Sequence, residues 1–78
     1  MKELVQYLAQ SIVNQPDAVE VTETQDDNAS VLELKVAQED LGRVIGKQGR
    51  TATSLRTILN AAAARHDRKV VLEIIDEE

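Results

Sequence analysis

The 78-residue chain contains no cysteine, tryptophan or phenylalanine, and Tyr7 is its only aromatic residue. Without cysteine there is no disulfide framework and no thiolate metal site, so a chain this short must fold on its core or with the help of a partner. A lone tyrosine excludes RNA- or DNA-binding surfaces built from aromatic stacking platforms. The single histidine, His66, lies beside Asp67. Neighbours on a helix end do not face each other as a catalytic pair, and a place at the helix C-terminus suits a basic side chain better. The N-terminal stretch has no apolar run of signal-peptide length, and nowhere do about 20 apolar residues follow one another. A soluble, cytoplasmic protein is expected, with no membrane segment, no metal and no cofactor.

The net charge of −5 argues at first against nucleic acid. Its distribution reverses that argument. From Leu41 to His66 there are five basic residues, Arg43, Lys47, Arg50, Arg56 and Arg65, and no acidic one, whereas the rest holds four basic against fourteen acidic side chains. One cationic segment is set in an anionic body.

Periodicity gives the elements. Leu4, Val5, Leu8, Ala9, Ile12 and Val13 recur at helical spacing, and Pro16 predicts a stop near Asn14. Asp17 to Thr24 alternates, with Val19 and Val21 on one face. After turn chemistry at Gln25-Asp26-Asp27-Asn28, Ser30 to Ala37 alternates again through Leu32, Leu34 and Val36. The two predict an antiparallel hairpin. A short helix follows over 39–45, with Glu39 and Asp40 favourable in its first turn. Gly46 to Gly49 interrupts it. A second helix is predicted from Arg50 to Arg65 with Ala52, Leu55, Ile58, Leu59 and Ala62 inward. The Ala61–Ala64 run reads as a packing surface, with its exposed side a candidate for a dimer interface. The β-branched run over 69–75 closes the domain as a strand, and the acidic end Asp76-Glu77-Glu78 is expected to fray. The order α-β-β-α-α-β describes one α+β domain over 1–78, a three-stranded sheet packed against helices in two layers.

Gly46-Lys47-Gln48-Gly49, between two helices, carries the chemistry. Glycines three apart let the chain turn sharply and bring bare amides close to a ligand. The second glycine sits at the start of a helix, whose unpaired N–H groups favour an anion. Lys47 within the turn, and Arg43 and Arg50 beside it, add positive charge, so phosphate is the natural ligand. A P-loop is excluded by three residues between Gly42 and Gly46 instead of four, by Gln48 where a magnesium-binding hydroxyl belongs, and by the lack of a preceding strand. No nucleophile with an adjacent base offers another enzyme reading.

The segment Leu41-Gly42-Arg43-Val44-Ile45-Gly46-Lys47-Gln48-Gly49-Arg50 resembles the signature of KH domains, and the element order resembles the type II form of that fold. Length and coverage are similar to the small bacterial RNA-binding proteins that consist of one KH domain. The resemblance implies single-stranded RNA as ligand. Gly46, Lys47, Gln48 and Gly49 would clamp the sugar-phosphate backbone, Ile45 would floor an apolar groove for bases, and Arg43 and Arg50 would contact phosphates. It further implies a homodimer, a hetero-complex with a larger KH-containing protein, or both. The role it implies is RNA chaperoning or post-transcriptional regulation, linked to cell elongation and envelope homeostasis. The acidic body keeps a second reading open, a KH-fold protein-interaction module with little intrinsic RNA binding.

Overall fold

Val5 and Ala9, one turn apart, are the buried centre of helix α1 (Lys2–Ile12), with Leu4, Leu8 and Ile12 partly buried around them. The helix stops two residues before the expected position. Val13 is already extended at φ −88° and ψ 162°, and its amide closes the last turn onto Ala9 O at 3.1 Å. The following Pro16 opens a 3₁₀ turn over Pro16–Ala18, its fixed φ suiting the first helical position. That turn takes up the residues predicted to begin the first strand. The computed structural model describes residues 1–25, 27 and 29–75; Asp26, Asn28 and the acidic end 76–78, where turn chemistry and fraying were expected, lie outside the described residues.

Strands β1 (Glu20–Gln25) and β2 (Ala29–Lys35) pair antiparallel with Val21 opposite Leu34 and Glu23 opposite Leu32. This is the predicted hairpin, with β2 running one residue earlier and ending two residues sooner than the alternation suggested. A 3₁₀ turn over Gln38–Asp40 precedes α2 (Leu41–Ile45), so the predicted 39–45 helix is a 3₁₀ turn joined to little more than one α-helical turn. Helix α3 (Arg50–Ala64) leads back to β3 (Lys69–Ile74), which pairs parallel to β2 with Leu72 opposite Leu32 and Ile74 opposite Leu34. Strand order is β1-β2-β3.

Parallel neighbours cannot be joined by a tight turn, because the chain must return to the starting end before pairing again. The whole α2–α3 segment is that return path. Outward positions such as Glu20, Thr22, Glu33, Val71 and Glu73 are exposed, whereas Val21, Leu32, Leu34, Val70 and Leu72 are buried beneath the helices. This is the expected two-layer α+β arrangement, and the side-chain period of two makes its register strict. No helix among the described residues is long and apolar enough to cross a membrane.

On α3 the structure corrects the predicted face. Ala52, Leu55, Leu59 and Ala63 are buried, Ala62 is only half-buried, and Ile58 is 44% exposed. Spacing of three and four selects a narrow stripe, and Ile58 falls beside it. Leu59→Ala is expected to lower stability by about 3 kcal/mol through lost burial and a cavity. Ile58→Ala should change it by less than about 1 kcal/mol, since its surface stays wet. Urea unfolding of the two variants checks the assignment, and equal midpoint shifts would contradict it.

Candidate nucleic-acid interface

Helix α2 ends because Gly46 takes φ +78° and ψ 171°, a conformation nearly closed to residues with a side chain. Its amide still closes the last turn of α2 onto Gly42 O at 2.8 Å. Space as well as conformation demands glycine here. A Cβ at this position would lie 2.7 Å from both Cβ and N of Thr51 and would overlap its Oγ1. Thr51 in the first turn of α3 therefore packs directly over the Gly46 backbone, which explains how two helices meet so closely across four residues.

The turn itself is a 3₁₀ segment over Lys47–Gly49 with Gln48 left-handed at φ 57° and ψ 27°. Gly49 N–H donates to Gly46 O at 3.1 Å, and Arg50 N–H to Lys47 O. The amides of Lys47 and Gln48 precede the first of these bonds and are not used by the turn. Gly49 follows in the left-handed region at φ 74° and ψ 13° as the N-cap of α3, with no side chain capping that helix. The result is a knuckle with backbone donors at its tip and the positive end of a 15-residue helix directly behind it.

The predicted side chains surround this knuckle. Lys47 and Gln48 are exposed at the tip. Arg50 is exposed, and its Nη2 lies 3.5 Å from Gln48 Oε1, at the long limit for a hydrogen bond. Arg43 is half-exposed on α2, with Nε 3.6 Å from Asp40 Oδ1. Ile45 is 37% exposed, the last residue before the turn, while Val44 beside it is fully buried and roots α2 in the core. The seven predicted residues lie within residues 43–50 at the α2–α3 junction, five of them exposed and Gly46 and Gly49 partly buried. Arg56 departs from it, turning its Nε to Leu72 O on β3 at 3.3 Å.

Two residues at the junction were not singled out in the sequence. Thr51 seals the Gly46 backbone, and nothing in a single threonine announces that contact. Asp40, read as a first-turn acid, is instead buried, its oxygens 3.1 and 3.0 Å from the amides of Asn14 and Gln15. At the other end of α3, a cavity of about 190 Å³ is lined by residues including Glu23, Ser30, His66 and Arg68, and by none of the predicted ones.

Different demands on the two glycines give an ordered expectation. Gly46→Ala meets both a forbidden conformation and Thr51, and should cost about 3 kcal/mol. Gly49→Ala has open space around the added methyl and only a left-handed φ to sustain, about 1 kcal/mol. Thermal unfolding of the pair should show the first variant clearly less stable; the reverse order would contradict the packing of Thr51 on the turn.

Comparison with known proteins identifies the family. The family described as KhpA/KhpB, KH domain, matches residues 2–74. The chain is 52% identical over 75 residues to the RNA-binding protein KhpA of Clostridium perfringens, covering 96% of this chain and 100% of that one. It is 51% identical over 75 residues to the protein of the same name from Caldanaerobacter subterraneus, with the same coverage. With that of Treponema pallidum it shares 45% identity over 96% of this chain and 94% of the other. No solved structure matches it. A family match over nearly the whole length, with relatives about half identical end to end, places the chain in the KhpA/KhpB family of KH domains.

Proposed function

We propose that this protein binds single-stranded RNA through the Gly46–Gly49 turn. One observation carries the reading: Arg43, Lys47 and Arg50 are exposed around a knuckle whose Lys47 and Gln48 amides meet no acceptor among the described residues, within a stretch holding no acid. The named relatives are RNA-binding proteins, which supports it. The amides of Lys47 and Gln48 would donate to phosphate oxygens, and Lys47 would supply a mobile charge beside them. Arg43 and Arg50 would take the phosphates on either side. Ile45 offers an apolar surface on which a splayed base can rest without an aromatic platform.

The chain acts in this reading as one KH domain over 1–78. Repulsion by the acidic body confines a polyanion to the junction, so affinity should be low for one domain and nearly indifferent to sequence. A homodimer, or a complex with a larger KH-containing protein, would join two such sites on one RNA and raise the affinity by avidity. Work in the cytoplasm as an RNA chaperone or post-transcriptional regulator, linked to cell elongation and envelope homeostasis, is part of the same proposal and rests on the family resemblance, not on any feature of the site. The competing interaction-module reading draws on Ile58, an apolar side chain left exposed on α3.

Fluorescence anisotropy with short labelled RNAs tests the proposal. A Lys47→Asp/Gln48→Asp variant, shown by circular dichroism to be folded, should lose binding at least about tenfold. Equal binding by wild type and variant would move the RNA site elsewhere, and binding by neither would favour the interaction module. Three phosphate contacts also set the salt dependence: log affinity against log salt should fall with a slope of about −2 for a single strand. A much steeper slope would implicate a wider surface, and equally tight binding of duplex would contradict a groove for splayed bases.

A further inference from the structure

Asp40 stands at the N-cap of α2, where a short acidic side chain commonly accepts from its own helix, yet it makes no such bond. Its carboxylate, 1% exposed, turns to another part of the chain. Oδ1 accepts from the Asn14 amide at 3.1 Å and Oδ2 from the Gln15 amide at 3.0 Å, just past the end of α1. The Gln15 side chain reinforces the seam, with Nε2 donating to Glu39 Oε1 at 2.7 Å. Arg43 Nε lies 3.6 Å from Asp40 Oδ1 on the exposed side. A carboxylate out of water is costly unless it is paired and hydrogen-bonded, and here it is both.

The location of this expense is informative. Helix α2 has five residues, too few to hold a direction of its own, and it must deliver Gly46 to Thr51 and Arg43 to the surface. Val44 fixes its middle in the core, and Asp40 fixes its beginning to α1. The ion pair also engages Arg43 through Nε. Among the described residues no other group holds Arg43, whose side chain is 53% exposed, so the two Nη nitrogens remain for a ligand. At 3.6 Å this contact is an ion pair and not a hydrogen bond, but it sets Nε beside Asp40 and leaves the two Nη nitrogens as a planar two-pronged donor, the geometry that matches two phosphate oxygens.

We propose that Asp40 is a positioning residue for the RNA site, holding α2 in place and orienting the Arg43 guanidinium toward a backbone phosphate. The inference rests on the RNA-binding reading and assigns Asp40 a part in it. It distinguishes Arg43, a directed fork, from Lys47, a flexible charge, and it has a specific chemical consequence: lysine at position 43 keeps the charge but loses the planar fork.

Anisotropy would compare wild type, Arg43→Lys, Arg43→Gln, Asp40→Asn and the Asp40→Asn/Arg43→Gln double variant at several salt concentrations, with Lys47→Asp/Gln48→Asp as the control for the RNA site. Arg43→Lys should bind about fivefold to tenfold more weakly despite its unchanged charge. Asp40→Asn should weaken binding by a similar factor, and the double variant should lose less than the sum of the two single losses. Losing the held phosphate contact should make the salt slope shallower by about 0.7 in Asp40→Asn. Wild-type affinity in Arg43→Lys would overturn the proposal, as would additive losses in the double variant, an unchanged slope, or tighter binding by Asp40→Asn. Retained binding by the control variant would instead mark failure of the site itself. NMR spectra without RNA then decide the positioning claim: Asp40→Asn should shift the Arg43 Nε–H signal and the Lys47 and Gln48 amides, and unmoved signals would overturn it.

Discussion

The parallel pairing of β2 with β3 is the constraint from which the rest of the molecule follows. An antiparallel third strand could have followed β2 through a short turn, leaving no place for a helical knuckle. Parallel pairing instead sends the chain out along α2 and back along α3 before Leu72 can lie opposite Leu32. The two helices must reverse direction in very little chain, and the reversal is Gly46 to Gly49. Its glycines are thus fixed by topology before any ligand is considered. Because Thr51 leaves no room for a side chain at position 46, the two helices meet closely and the turn projects Lys47 and Gln48 at its tip. A feature forced by folding is also one that can meet a phosphate.

Charge distribution makes that turn a selective surface. Acids occupy β1, β2, the 3₁₀ turn before α2 and β3, and are missing from Leu41 to His66. A polyanion approaching the molecule is repelled except along α2, the turn and α3. At physiological salt the screening length is about 8 Å, so this contrast acts locally, at the junction, and not as long-range steering. Asp40, which pairs with Arg43, is buried and committed to two amides and that arginine, so it adds little exposed negative charge.

Much of this was legible in the sequence because it rests on local rules. The alternation of Leu32, Leu34 and Val36, the proline after α1 and the two glycines of the turn each act on their own neighbours, and they sufficed for the element order and the hairpin. The KH-like segment from Leu41 to Arg50 was recognisable for the same reason, being contiguous. What stayed hidden depends on distant partners. Ile58 and Leu59 are adjacent and equally apolar, and only the direction in which α3 crosses β3 decides that one is buried and the other wet. Asp40 resembles any acid at a helix start; its true partners, Asn14 and Gln15, lie about 25 residues away in sequence. Thr51 offers no signal at all until the two helices are placed.

The central claim is that RNA meets this protein at the α2–α3 junction. Mapping of amide chemical shifts during titration with a short single-stranded RNA tests it most directly, since each residue reports separately. The account expects the largest changes at Gly46, Lys47, Gln48 and Gly49, with Ile45, Arg43 and Arg50 next, and little change along β1 or at the far end of α3. Changes centred instead around His66 and Arg68, or on the exposed face of the sheet, would contradict it.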